Sequence, residues 1–230
     1  TSGTLAQGHT ITVTISGTIT NVGSVPNTIT NVVIKDASGR DVTKNYNITK
    51  QVGTLTITPA KDAKFDITLD EDTFVYDGTA KEPTATVKVG GVTLKEGTDY
   101  DVSYKDNVNA GTATVTITGK GNYAGAIGEK TFTITKADIT PTVNMSDYVY
   151  GGTKAEPSVN GNTGNGNVTY YYNTSNSNSN GTNWSTVTSS TSLNTGTYYM
   201  YAVIEETANY KGATTPTKEF RITSIDISEN

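Results

Sequence analysis

Residues able to do chemistry are few in this chain, and they lie apart. His9 is the only histidine and cysteine is absent, so an imidazole-based triad, a thiolate nucleophile and a zinc–thiolate centre all lack their parts. His9 reads as a surface residue at a strand edge. Asp70, Glu71 and Asp72 stand together and would offer calcium a set of oxygen ligands with nearby carbonyls. They lack the regular acidic spacing and the glycine of a calcium loop, and a solvated acidic turn accounts for them. The two carboxylates of DASGRD, at 36–41, are explained by a hairpin turn, where Asp and Gly meet backbone demands. Paired carboxylates for glycoside hydrolysis need a deep cleft, which modules of this size rarely form. The expectation is no enzyme, with no catalytic residues, no cofactor and no metal.

The strongest constellation is aromatic. Tyr170, Tyr171 and Tyr172 precede the polar run NTSNSNSNGTN and Trp184, the only tryptophan; Tyr198, Tyr199 and Tyr201 follow. Aromatic faces beside Asn and Ser groups hold sugars or extended peptides by stacking and adaptable hydrogen bonds. Tyr170, Tyr172, Trp184, Tyr199 and Tyr201 are therefore the candidate ligand-binding residues, with a glycan or a host surface protein as partner. Successive residues of a strand face opposite sides, so about half of these rings belong to the core, and Trp184 is expected to pack under the loop.

The elements that must position these groups are strands. Ile11, Val13 and Ile15 alternate with threonine, as do Ala113, Val115 and Ile117, and period-two alternation marks half-buried strands. Gly90-Gly91 joins two such runs with the positive φ angles of a two-residue hairpin turn. Threonine makes up about a fifth of the chain, beside 23 Gly and 14 Tyr, a strand-and-turn composition. No helical periodicity is long enough to defend, and no apolar run approaches the ~18 residues of a membrane span. With 17 Lys and Arg against 22 Asp and Glu, for a net charge of −5, neither nucleic acid nor anionic lipid finds a basic face.

The organising feature is repetition. FVYDGTAKEP, at 74–83, returns as YVYGGTKAEP, at 148–157; Tyr76 and Tyr150 stand 74 positions apart, as do Pro83 and Pro157. Closing segments GTLTITPA (53–60), KTFTITKA (130–137) and KEFRITSI (218–225) share an Ile-Thr pair. AGTATVTITGKGNYAG (110–125) answers TGTYYMYAVIEETANYKG (195–212), with Asn122-Tyr123 matching Asn209-Tyr210. Periods of this length mean repeated structural units. Three closing segments imply three modules, at 1–60, 61–137 and 138–230, the third enlarged by a long polar loop. The links at 59–64 and 136–141 carry Lys, Ala, Asp and Pro, which disfavours flexible coil.

The first module has a closing strand and no opening one. It is expected to lack its first strand, with Thr1 a cloning, proteolytic or processing boundary, and to expose an edge to which another chain could add a strand. Monomeric behaviour is otherwise expected.

FVYDGTAKEP, LKEGTDYDVSYKDNVNAGTATVTITGKGNYAG (94–125) and VGSVPNTITNVVIKDASGRDVTKNYNITKQVGTLTITP (22–59) resemble the tandem Ig-like repeats of bacterial surface proteins, the YDG or MBG group. The resemblance covers nearly the whole chain. It implies an all-β fold of three tandem small Ig-like antiparallel β-sandwiches in an elongated array, on an extracellular, cell-surface or cell-wall protein. In that group such modules serve as stalks, spacers or adhesive segments, their partners being other domains of the same polypeptide. No shared active site is implied. Some neighbouring pilins and adhesins carry Lys–Asn isopeptide crosslinks, but no such pattern is found here. The YDG motif reads as a turn-and-strand signature, and the third module, with Gly151-Gly152, departs from its Asp.

Overall fold

Threonine alternating with valine, isoleucine or alanine produces strands because branched side chains pack well on a pleated surface. In the computed structural model, which describes residues 3–188 and 192–227, these runs are β1 (Thr10–Ser16), β2 (Gly23–Lys35), β3 (Gly53–Ile57), β4 (Asp66–Leu69), β5 (Thr73–Val75), β6 (Ala85–Val89), β7 (Val92–Thr93), β8 (Tyr100–Lys105) and β9 (Gly111–Gly119). The second half adds β10 (Ile127–Thr135), β11 (Thr142–Asn144), β12 (Tyr148–Val149), β13 (Ser158–Asn160), β14 (Val168–Asn173), β15 (Thr182–Asn183), β16 (Gly196–Ile204), β17 (Ala213–Thr214) and β18 (Lys218–Thr223). Helical structure among the described residues is confined to short 3-10 turns at Thr43–Asn45, Gly121–Tyr123 and Trp184–Thr186. The chain is all-β, built of tandem β-sandwiches, as the alternation predicts.

The fold divides into two compact units: Thr1–Thr68, Ala85–Ser103 and Thr116–Lys130 form one, and Leu69–Thr84, Tyr104–Val115 and Thr131–Asn230 the other. In the first, β1-β2-β3 make an antiparallel sheet, with Ile11 opposite Ile34 and Val25 opposite Leu55. Its small core is Val32, Ile34 and Val42, with Leu5, Ile29, Tyr46 and Ile48 packed around it. One expectation fails here. Of the alternating residues of β1 only Ile11 is partly covered, while Val13 is 39% and Ile15 60% exposed. The cluster of buried side chains reaches Ile11 and goes no further along β1. Among the described residues β3 pairs with β2 alone, so its other edge is open.

In the second unit the sheet runs β12-β18-β16-β14-β15, with β17 on β16. The pair β11-β13 brings Val143 and Val159 to a core of Met200, Phe220, Ile222 and Trp184. Two pairings are parallel: β5 on β10, with Phe74 opposite Ile134, and β12 on β18, with Tyr148 opposite Ile222. Each opening strand of the sequence repeat thus lies along the closing strand of its own repeat, which is why the two landmarks recur together.

Gly119, at the end of β9, closes a tight corner. Its N–H donates to Ala126 O at 2.8 Å, and a Cβ there would stand 2.2 Å from Tyr123 O. The corner holds the turn that carries Asn122. Gly119→Ala is expected to cost about 2–3 kcal/mol, the range for forcing an atom into a packed site, read as a lower urea midpoint with the slope unchanged.

Candidate functional site

The aromatic residues of β14, β15 and β16 are brought together, but chiefly with one another. Trp184 opens its 3-10 turn, which Asn183 caps by accepting from Ser185 N at 2.9 Å. Its ring is 3% exposed and meets Phe220 edge-on at 5.7 Å and Tyr172 at 5.9 Å. Nε1–H donates to Glu156 Oε2 at 3.3 Å, and Lys154 Nζ sits 4.8 Å from the ring centre. Tyr170 and Tyr172 lie opposite Ala202 and Met200 and pack against the core.

Tyr201 is on the other face of the sheet and is also 3% exposed. It stacks on Tyr171 at 5.4 Å, and its hydroxyl accepts from Gly181 N at 2.8 Å. A Cβ at Gly181 would lie 2.7 Å from the Tyr201 ring, so the polar loop is folded onto that face. Trp184 packs inward, as expected, and Tyr201 is covered as well. Trp184 and Tyr201 present no surface, and Tyr170, Tyr172 and Tyr199 are half-buried. Alternation alone puts Tyr201 outward; what it misses is that the loop closes over it.

The polar candidates are similarly engaged. His9 is half-buried, with Nδ1 2.8 Å from Tyr46 Oη and the rings edge to face. Asp70 Oδ1 accepts from Glu71 N and Thr84 N at 2.9 and 2.8 Å. Among the described residues no three acidic or His side chains gather as a metal site. Asp36 holds its hairpin by accepting from Ser38 Oγ at 2.6 Å and from the amides of Ser38 and Arg40 at 3.0 Å, and these bonds lower its pKa to about 2. The Asp of the YDG motif, Asp77, binds Lys81 Nζ at 2.5 Å and accepts from Thr79 Oγ1 and N at 2.6 and 2.9 Å, which holds its carboxyl far below the usual range. Gly78 beside it has φ +83°, a left-handed conformation that glycine adopts without strain.

The group that recurs with the same partners is an asparagine. Val22 N–H donates to Asn122 Oδ1 at 2.7 Å, Asn122 Nδ2 donates to Asn21 Oδ1 at 2.9 Å, and Ala60 N–H donates to Asn122 O at 2.8 Å. In the other unit Ala110 N–H donates to Asn209 Oδ1 at 2.9 Å, Asn209 Nδ2 to Asn109 Oδ1 at 3.0 Å, and Ala137 N–H to Asn209 O at 2.9 Å. Each asparagine grips a loop of the preceding sequence repeat and the link that follows it. The tyrosine beside it packs edge-on as well, Tyr123 on Phe65 at 6.3 Å and Tyr210 on Tyr76 at 5.4 Å. The sequence offered the signal, since Asn-Tyr recurs at matching positions, but nothing in it told a turn residue from a clasp.

No protein-family model matches the chain, and no curated protein matches it. Among solved structures it is similar to a protocadherin gammaB7 EC3-6 cis-dimer structure, at 12% identity and a TM-score of 0.29. The match covers 87% of this chain and 58% of that one, so the chain spans little more than half of its length. No helix among the described residues is long and apolar enough to cross a membrane.

Burial raises the pKa of Tyr148, Tyr170 and Tyr198. A raised folded value favours the neutral phenol, so this stability is complete below the unfolded value of about 10 and is lost as pH rises through the folded one. An alkaline titration of tyrosinate absorbance is expected to show a late-ionising class, with the unfolding midpoint falling above about pH 10.

Proposed function

We propose that the chain is a non-enzymatic stalk segment of a bacterial cell-surface protein, made of three Ig-like modules that space or present other domains of the same polypeptide outside the cell. The observation that carries this reading is the repeated asparagine clasp. Short links would by themselves allow neighbouring modules to swivel. A residue whose side chain bonds a loop of one module and whose backbone carbonyl bonds the link to the next opposes that swivel, since turning breaks three hydrogen bonds at once. The resemblance of the repeats to bacterial surface modules supports the location. The adhesive alternative draws less support, because the rings it needs are spent on Phe220, Met200 and the polar loop.

Each bond in a clasp contributes about 0.5–1.5 kcal/mol net. Asn209→Ala leaves the part-buried Ala110 amide without its acceptor and is expected to lower stability by about 1–2 kcal/mol; Asn122→Ala, at a more exposed joint, is expected to cost less. The chain has no cysteine, so pairs of introduced cysteines can carry spin labels on either side of Ala60 or Ala137. Distance distributions across each joint should be narrow in the parent and broaden in the alanine variant. Equally broad distributions in both would remove the stalk reading.

A further inference from the structure

Each clasp has two halves. One is the asparagine of an Asn-Tyr turn, and the other is the loop it grips, Asn21-Val22-Gly23 for Asn122 and Asn109-Ala110-Gly111 for Asn209. Both loops have the form Asn-x-Gly, with glycine φ of +147° and +144° at the start of β2 and β9. A loop can steady a neighbouring repeat only if it is itself held. For the second loop, the holding contacts lead back to the YDG turn.

Asp77 accepts from Thr79 N and Oγ1 and pairs with Lys81 Nζ, and the Lys81 side chain is only 12% exposed. The Lys81 backbone exchanges two hydrogen bonds with Asn107: Lys81 N–H donates to Asn107 O at 2.8 Å, and Asn107 Nδ2 donates to Lys81 O at 3.0 Å. Asn109 and Ala110, which meet Asn209, follow two and three positions later. Tyr76 approaches the same joint from the strand side. Its ring stands edge-on to Tyr210 at 5.4 Å, and its N–H donates to Thr135 O at 2.9 Å. Thr135 lies two positions before Ala137, whose N–H donates to Asn209 O.

The opening strand does not need this lock. In the third repeat Gly151 stands 74 positions after Asp77, yet β12 lies parallel to β18 as β5 lies parallel to β10. Tyr150 N–H donates to Thr223 O at 2.9 Å, as Tyr76 N–H does to Thr135 O. The lysine of that repeat, Lys154, turns to Val187 O and Glu156. The Asp77–Lys81 pair is therefore surplus to strand pairing, and what its segment contacts beyond its own turn is the loop that Asn209 grips.

We propose that the YDG turn is a positioning element of the joint: the Asp77–Lys81 pair fixes the Asn109-Ala110 loop in the conformation that receives Asn209, and Tyr76 supplies the ring against which Tyr210 seats. The proposal rests on the stalk reading of the clasp. The partner that the turn serves is the Asn-Tyr turn of the repeat that follows. A loop already set in its bound form loses less conformational freedom when it is gripped, so the pair stiffens the joint without touching Asn209.

The test uses the full chain with Asp77→Asn, Lys81→Met and the two combined, read by hydrogen exchange of the Ala110 amide and by spin-label distances across Ala137. Asp77→Asn keeps a side-chain oxygen for the Thr79 bonds and removes the charge that holds Lys81; Lys81→Met keeps an unbranched stem and removes the ammonium. Each is expected to speed Ala110 exchange about tenfold and to broaden the Ala137 distance distribution. The double variant is expected to do no more than either single one, because the partners of one pair are not additive. The Val22 amide, which bonds Asn122 in the first joint, should keep its parent rate. A lower urea midpoint with Ala110 exchange and Ala137 distances unchanged would make the pair a brace of its own turn only and overturn the proposal. Equal speeding of Val22 and Ala110, or additive effects in the double variant, would overturn it as well. If Ala110 and Val22 already exchange as open loops in the parent, the stalk reading fails and takes this inference with it.

Discussion

A small β-sandwich ends in loops whose backbone N–H groups have no neighbouring strand, and each must find an acceptor or stay in water. That constraint shapes how neighbouring sequence repeats of this chain are joined. Asparagine is a short side chain with both a donor and an acceptor on one planar group, so one residue can take an N–H from a loop, give an N–H to a second asparagine, and use its own carbonyl for the link. Asn122 and Asn209 do this with distances that agree to within 0.2 Å bond for bond. Gly119 closes the corner that places Asn122, and Ala126 accepts the Gly119 N–H that fixes the corner.

The same economy runs through the strands. A closing strand with a parallel partner on one side and an antiparallel one on the other, as β18 has in β12 and β16, satisfies its backbone on both edges. Its side chains Phe220 and Ile222 are then free to fill the core. β3 has the antiparallel partner only, and the sheet it belongs to is the one whose apolar residues, Val13 and Ile15, stand uncovered. Packing and pairing are incomplete in the same sheet.

Much of this fold was legible in the sequence because strand alternation and glycine turns are local signals. Ala113, Val115 and Ile117, read as one buried face, are fully buried, and the polar run after β14 carries no strand from 174 to 181. β1 shows the limit: alternation says which residues share a face, but whether anything covers that face is a tertiary fact. The aromatic cluster fails for the mirror-image reason. Tyr201 lies on the face opposite Met200, yet a Gly181 with room for no side chain lets the polar loop lie on it. The clasp was half visible, since repetition marked Asn-Tyr as a unit. Its partner, Asn-x-Gly, hides among ordinary turn residues, because glycine with positive φ before a strand has a sufficient explanation without any partner.

A polar joint also settles a problem that hydrophobic joints create. Repeat arrays held together by apolar faces need special capping units at each end, because the outermost face would otherwise be exposed. Here the faces of the joint are mainly asparagine amides and backbone groups, and water satisfies them when no module does. A half left without its complement stays in water at little cost, so the number of modules is not set by the need to hide a terminal surface. Length in such a chain is then free to vary by copying whole modules, because each copy brings one turn and one loop and leaves the balance of open halves unchanged.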